Sequence, residues 1–193
     1  MKSNVMSWKN DQVSEKETKY IIEISKECLK VEGDFVELGC YKGDTSLILA
    51  DLLKNSGKRL WIYDSFEGLP EKKKEDESIL GKDFVVGELM VTKREVKERF
   101  LRAGLKVPII KKGWFADFSS NDLPERIAFA FLDGDFYDSI RDGLRLIQGK
   151  MSKGGILIIH DYNNPALPGV KKAVDEYGYD DLIIYESMAI LEF

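Results

Sequence analysis

The sequence predicts an α/β protein with a doubly wound, seven-stranded, mostly parallel sheet that ends in an antiparallel strand. Short, continuous apolar runs alternate with amphipathic helical patterns, which is typical of parallel strands covered on both faces. At the end of the chain, two strand-like runs are separated only by Glu186, Ser187 and Met188. A linker this short can form only a hairpin, so the last strand must run antiparallel to its neighbour.

The first half of the chain supplies a helix, two strands and a second helix before the rhythm breaks. Ser14 is placed to begin a helix over 14–30, with Ile21 and Ile24 on its apolar side. Short apolar runs predict the first two strands, and leucines at helical spacing predict the helix between them. These elements cover residues 35–38 (strand), 45–54 (helix) and 60–63 (strand).

The second half continues the alternation from a helix over 93–103. Pro108 lacks an amide donor, so it fits only the beginning or the edge of a third strand over 107–110. Gly154 and Gly155 are expected to end a helix that starts near Ser139. The other predicted elements are strands over 127–132, 156–159, 182–185 and 189–193 and a helix over 170–177.

Composition narrows the classes of protein. At 193 residues the chain is expected to form one domain over 1–193. Its net charge of −5 argues against a nucleic-acid partner. No apolar run reaches the roughly twenty residues of a membrane span, and residues 1–12 contain no apolar signal core. With Cys28 and Cys40 as the only cysteines, a reducing, cytoplasmic location is expected.

Residues 71–90 interrupt the strand–helix alternation. Residues 71–77 are seven consecutive charged side chains. Either this segment is a solvated loop, or it is a lid over a site, because long loops in compact domains often act as lids.

The turn after the first predicted strand contains an acid and two glycines, Glu37, Gly39 and Gly43. Glycines there let backbone approach a ligand closely, and the helix that follows offers free amide donors. Asp64 ends the second strand, where a carboxylate can accept hydrogen bonds from both hydroxyls of a ribose. The Gly-x-Gly-x-x-Gly spacing of NAD sites is absent. With the terminal hairpin, which is typical of class I methyltransferases, this pattern favours S-adenosylmethionine. A tight structural turn and a capping acid remain the alternatives.

Acids also follow the fourth and fifth predicted strands. Asp133 and Asp161 end neighbouring strands, whose spacing of about 4.8 Å puts the carboxylates within reach of one hard cation such as Mg²⁺. Asp135 could be a further ligand, a base or a turn residue. The single histidine of the chain, His160, could be a ligand, a general base or a structural residue. Trp114, after the third strand, could stack on adenine or belong to the core.

In order and spacing, several motifs resemble those of the macrocin O-methyltransferase family, which methylates sugar hydroxyls with S-adenosylmethionine and magnesium. The matching segments are Val-Glu-Leu-Gly-Cys-Tyr-Lys-Gly at 36–43, Tyr-Asp-Ser-Phe-Glu-Gly-Leu-Pro at 63–70, Lys-Gly-Trp-Phe at 112–115, Leu-Asp-Gly-Asp at 132–135, Asp-Tyr at 161–162 and Pro-Gly-Val-Lys-Lys-Ala-Val at 168–174.

The resemblance implies roles for these residues. The cofactor would lie against Glu37, Gly39, Tyr41, Gly43, Thr45, Asp64, Ser65, Gly113, Trp114 and Asp133. Asp133 and Asp161 would bind the metal, and Asp135 would bind it or remove a proton. The family often has an acid where this chain has His160, and a nitrogen ligand there would favour Mn²⁺ over Mg²⁺. The family's assemblies make a homodimer the expected oligomer.

The predicted function is therefore metal-assisted O-methylation of a small sugar-bearing acceptor. A metal-dependent methyltransferase acting on catechols or other phenols and a non-catalytic S-adenosylmethionine-binding protein are the alternatives. An NAD-dependent oxidoreductase is disfavoured by the glycine spacing and the terminal hairpin.

Overall fold

The computed structural model describes residues 10–80 and 84–193. Most of the N-terminal stretch in which no signal core was found, and residues 81–83 of the predicted lid, lie outside this part of the chain. Within it, no helix has both the length and the apolar character needed to span a bilayer.

The predicted sheet is confirmed. Its strands are β1 Asp34–Leu38, β2 Leu60–Asp64, β3 Ile109–Lys112, β4 Ile127–Leu132, β5 Met151–Ile159, β6 Ile183–Tyr185 and β7 Met188–Glu192. They form one seven-stranded sheet in the order β3-β2-β1-β4-β5-β7-β6. The first five strands are parallel, whereas β7 runs antiparallel to both β5 and β6.

In the described part of the chain, five α-helices cover the sheet: α1 Glu15–Glu27, α2 Asp44–Leu53, α3 Lys93–Arg102, α4 Tyr137–Ile147 and α5 Pro168–Tyr177. One hydrophobic cluster packs α4 and α5 against one face, and a second packs α1, α2 and α3 against the other. Alternation along β4 divides the strand between them, since Phe129 and Phe131 join the second cluster while Ala130 and Leu132 join the first. The doubly wound arrangement thus follows from strands that are apolar on both faces.

The expected end of the helix at Gly154 and Gly155 was wrong. The helix stops at Ile147, a short 3₁₀ turn follows over Gln148–Lys150, and both glycines lie inside β5. The backbone amide of Gly154 donates to the carbonyl of Phe193, and the amide of Phe193 donates to the carbonyl of Gly155 at 2.9 Å. The glycines therefore serve the pairing of β5 with the chain end rather than a helix cap.

The third strand also starts later than predicted. Pro108 precedes β3, which runs over Ile109–Lys112. This placement agrees with the missing amide of proline, since no ladder hydrogen bond is then required of it.

The ends of β1 and β4 meet at Gly39. Its φ is +84°, and a Cβ added there would lie 1.8 Å from the carbonyl oxygen of Asp133. The amide of Asp133 donates to the carbonyl of Leu38 at 2.8 Å, so the two backbones cannot separate without breaking this pairing.

Gly39→Ala should lower the free energy of unfolding by about 3 kcal/mol, because it adds a backbone clash to the cost of a left-handed alanine. Urea denaturation followed by circular dichroism measures this change. Gly57→Ala is the matched control, since Gly57 has φ +78° and nothing within 4 Å of the added Cβ. It should cost only about 1 kcal/mol. Equal losses in the two variants would contradict the clash.

Candidate active site

A cleft opens at the carboxyl edge of the sheet. This is the edge at which open α/β sheets bind ligands. The predicted site residues among its lining are Glu37, Gly39, Tyr41, Thr45, Asp64, Ser65, Gly113, Trp114, Asp133, Asp135, His160 and Asp161. Gly43 is not among the lining residues. It is the N-cap of α2, and a Cβ there would face Val96 of α3 at 3.4 Å, so its role is to shape the turn.

Asp64 ties the turn after β1 to the end of β2. One carboxylate oxygen, Oδ2, accepts the amides of Cys40 at 2.8 Å and Tyr41 at 3.3 Å. The other, Oδ1, accepts the amide of Phe66 at 2.7 Å. Because a carboxylate offers about four acceptor positions, capacity remains for a hydroxyl that enters the cleft. Asp64 is thus both a turn-organising residue and an available acceptor.

Glu37 lies at the floor of the cleft and is 1% exposed. The hydroxyl of Ser46 donates to its carboxylate. Burial raises the pKa of Glu37 to about 8, with smaller contributions from the charges of Asp133, Asp64 and Asp44. A cation in the cleft would oppose this shift, since an opposite charge favours the ionised carboxylate.

Asp133 and Asp161 lie at the ends of neighbouring strands, and the structure brings His160 to the same point. The Nδ1 atom of His160 is 3.3 Å from Oδ1 of Asp133 and 3.2 Å from Oδ2 of Asp161. Each of the three residues offers one ligand atom, and these atoms lie within 4.8 Å of one another. Asn164 fixes the other oxygen of Asp161 by donating to Oδ1 at 2.8 Å. Two carboxylates and an imidazole form a donor set that fits a divalent cation.

The acids at this edge of the sheet also shift the pKa values of their neighbours. His160 is buried, and the charge of Asp133 together with contacts to both aspartates raises its pKa well above its usual value, against the effect of burial. Burial and the charges of Asp133 and Asp161 raise the pKa of Asp135 well above the usual range of a carboxyl. The acids of the cleft would therefore all be ionised together only beside a cation, so the cleft favours cationic ligands.

Backbone strain concentrates around the cleft. Tyr41, Leu89, Asp135 and Asp161 all line it with φ between +44° and +62°, although none is glycine. Non-glycine residues adopt this region at a cost of about 1–2 kcal/mol each. At Asp161 the turn ends the regular alternation of β5, which is why its side chain and that of His160 can meet. Such outliers cluster at functional sites.

The sequence leaves two interpretations of residues 71–90, a solvated loop or a lid, and their described part makes specific contacts with the body of the protein beside the cleft. Asp76 accepts the amide of Tyr137 at 2.7 Å, and Ser78 donates to the carbonyl of Pro165 at 2.9 Å. Leu89 lines the cleft, whereas Ile79 is almost fully exposed. Closure of this segment stays a prediction.

Sequence reasoning missed the contribution of residues near the N-terminus. Asn10 and Val13 line the cleft, and the side-chain amide of Asn10 donates to the hydroxyl of Thr45 at 3.0 Å. Glu17 lies 4.0 Å from His160, between carboxylate Oε2 and Nε2. Polar residues ahead of a helix carry no signal of contact with a sheet edge. Glu17 does belong to a sequence motif, the Ser-x-x-Glu capping box, but that motif predicts only a helix cap.

A family model described as macrocin-O-methyltransferase (TylF) matches residues 15–190. The chain belongs to this family. The match runs from the start of α1 into β7 and takes in all of the predicted site residues.

Curated relatives are O-methyltransferases. An 8-demethyl-8-(2,3-dimethoxy-alpha-L-rhamnosyl)-tetracenomycin-C 4'-O-methyltransferase of Streptomyces olivaceus is 33% identical, over 76% of this chain and 58% of its own length. A demethyldecarbamoylnovobiocin O-methyltransferase of Streptomyces niveus is 31% identical over the same shares of the two chains. The chain therefore spans less than two thirds of the length of these relatives.

Solved structures agree on the fold. The O-methyltransferase NovP superposes with a TM-score of 0.73 at 27% identity, over 89% of this chain and 78% of its own. The calicheamicin methyltransferase CalS11 gives 0.76 at 19% identity, over 92% and 79%. The sheet with its terminal antiparallel strand is thus the class I methyltransferase fold that the sequence predicts.

Proposed function

We propose that this protein transfers the methyl group of S-adenosylmethionine to a hydroxyl of a small sugar-bearing molecule, with the help of a divalent cation. The observation that carries the proposal is the convergence of Asp133, His160 and Asp161 in one cleft with Glu37 and Asp64. Family membership supports the methyl donor. The rhamnosyl group in the name of the Streptomyces olivaceus relative supports a sugar as the acceptor.

The donor's functional groups match the residues that line the cleft. Asp64 would accept hydrogen bonds from the ribose hydroxyls, and Glu37 would face the positively charged methionine amino group. Trp114 and Gly113 line the wall on which adenine would lie. The raised pKa of Glu37 supports this assignment, since the carboxyl becomes fully ionised at neutral pH only when a cation approaches.

Asp133, Asp161 and His160 are the residues that would hold the metal. A divalent cation bound there would lower the pKa of the acceptor hydroxyl and place its oxygen near the methyl donor. The imidazole supports Mn²⁺ beside Mg²⁺ as the ion, since a nitrogen ligand is softer than a carboxylate. His160 could instead be a general base, but its Nδ1 atom is already held between the two carboxylates.

Asp135 is the group we assign to proton removal. Its carboxyl lines the cleft, where burial and neighbouring acids raise its pKa, and a cation held nearby would oppose that rise and keep the carboxylate ionised to accept the proton. The walls of the cleft would contribute by holding the acceptor oxygen and the methyl carbon in line and by excluding water.

A methyl-transfer screen tests the proposal. Glycosylated and phenolic acceptors are offered with S-adenosylmethionine and Mg²⁺ or Mn²⁺, and S-adenosylhomocysteine formation is measured. We expect turnover on a sugar hydroxyl that stops when the metal is chelated. Turnover on phenols alone would mean that the acceptor is a phenol rather than a sugar hydroxyl. Turnover that survives chelation would show that the reaction needs no metal. Failure of S-adenosylmethionine and S-adenosylhomocysteine to bind at millimolar concentration would exclude both the reaction and a non-catalytic binding role.

Asp64→Asn should weaken S-adenosylmethionine binding at least about tenfold, because a charged acceptor is replaced and the new amide donor faces backbone N–H groups. Isothermal titration calorimetry measures the dissociation constant. Asp51→Asn is the control, since Asp51 pairs with Lys54 on α2 and does not line the cleft. An Asp64→Asn protein that binds as tightly as the wild type would show that Asp64 only organises the turn.

A further inference from the structure

Glu17 is buried more completely than a helix-capping acid requires. It is 5% exposed, and both oxygens of its carboxylate accept hydrogen bonds. Oε2 accepts from the amide and the hydroxyl of Ser14 at 3.0 and 2.6 Å, which completes the capping box of α1. Oε1 accepts from the amide and the hydroxyl of Ser187 at 3.1 and 2.5 Å. A cap needs only Ser14, so the contact with the β6–β7 turn has another purpose.

The β6–β7 turn packs beside the loop after β5, which carries the proposed metal ligands. The amide of Asn163 donates to the carbonyl of Ser187 at 3.1 Å, just beyond His160 and Asp161. The start of α1, the terminal hairpin and the loop after β5 therefore meet at one buried point. Glu17 is a buried charged residue of α1 that contacts both of the others.

His160 presents its two ring nitrogens to opposite sides of this junction. Nδ1 faces Asp133 and Asp161, while Nε2 lies 4.0 Å from Oε2 of Glu17. The ring is 4% exposed and packs against Phe131 with 6.0 Å between centroids. At 4.0 Å the contact with Glu17 is electrostatic rather than a hydrogen bond, and burial leaves it poorly screened.

We infer that Glu17 is a positioning residue of the metal site, which orients the ring of His160 so that Nδ1 faces Asp133 and Asp161, where a cation would be held. The inference rests on the metal-assisted reaction proposed above. Metal-ligating histidines commonly direct the other ring N–H to a carboxylate, which fixes both the tautomer and the ring orientation. Here Ser14 and Ser187 hold the carboxylate of Glu17 in place, so the carboxylate can fix the orientation of the His160 ring.

The pairing also fits the identity of residue 160. An aspartate at this position would have no ring nitrogen to direct at Glu17. It would instead place its own carboxylate close to that of Glu17 in a buried site. The charges of Glu17 and His160 are thus complementary, and the burial of each side chain is explained by the presence of the other.

Mn²⁺ serves as the probe, because electron paramagnetic resonance reports both its affinity and the nitrogen nuclei bound to it. Wild-type protein should show ¹⁴N modulation from His160, and His160→Asn should lose it. Glu17→Gln should weaken Mn²⁺ binding 10- to 100-fold and reduce the ¹⁴N modulation. Glu15→Gln is the matched control, since it removes the same charge from the exposed side of the same helical turn and should bind as the wild type does.

The outcomes separate the two proposals. Wild-type protein that binds no Mn²⁺ would overturn the metal role and this inference with it. Wild-type binding with a Glu17→Gln protein of equal affinity and equal ¹⁴N modulation would overturn only the role of Glu17. If Glu17→Gln does not fold, Ser187→Ala keeps the capping box and removes one anchor of the carboxylate. That variant should bind Mn²⁺ severalfold more weakly, and unchanged affinity would count against the inference.

Discussion

Replacing Asp161 with asparagine should lower the rate of methyl transfer at least about 100-fold at saturating S-adenosylmethionine, which corresponds to a loss of several kcal/mol of transition-state stabilisation. Oδ2 of Asp161 is 3.2 Å from Nδ1 of His160, and Oδ1 accepts from Asn164. Asparagine keeps the size of the side chain but removes the charge that would hold a cation. The affinity for S-adenosylmethionine should stay within about threefold, because the residues assigned to the donor lie on β1 and β2 or directly follow β3. Steady-state kinetics and calorimetry measure the two effects separately.

Asp138→Asn provides the control for Asp161→Asn. Asp138 lies on α4 and pairs with Lys73 and Arg141 outside the cleft, so its loss should leave the rate unchanged. Equal losses of turnover and of S-adenosylmethionine affinity in Asp161→Asn would mean that Asp161 belongs to the donor site. Full activity in Asp161→Asn would remove it from the mechanism.

The fold was predictable because its strands carry their own signal. A buried parallel strand must be apolar on both faces, so runs such as 127–132 stand out, and a linker of two or three residues dictates a hairpin. The glycines at 154 and 155 were misleading because a glycine pair marks both a helix end and an irregular strand. Only the hydrogen bonds with Phe193 decide between these roles.

The site was predictable where it follows from strand ends and not where it depends on packing. Asp133 and Asp161 each follow a recognisable strand, so their meeting is a consequence of sheet order. The contact between Glu17 and Ser187 joins residues 170 positions apart, and the local capping box already accounts for the glutamate. Nothing in the sequence indicates that this cap also faces His160.

Glu37 shows how the cleft trades stability for ligand binding. Its carboxyl is buried with no cationic partner among the described hydrogen bonds and ion pairs, and only Ser46 donates to it. A residue selected for stability alone would be apolar or fully paired at this position. The acid is therefore best explained by the charge of a ligand, and the protein without that ligand bears the cost.

Glu37→Gln should stabilise the ligand-free protein at pH 8 by a free energy of unfolding on the order of 3 kcal/mol while weakening S-adenosylmethionine binding. The pKa of Glu37 is raised from 4.5 to about 8 in the folded state. Between these values the folded protein binds more protons at this group than the unfolded chain does, so this group makes stability fall as the pH rises from 4.5 to about 8. The gain from Glu37→Gln should vanish near pH 4. Urea denaturation at several pH values measures it, with Glu125→Gln, an exposed acid, as the control. A gain that does not change with pH would mean that packing, rather than the buried charge, limits the stability of the ligand-free protein.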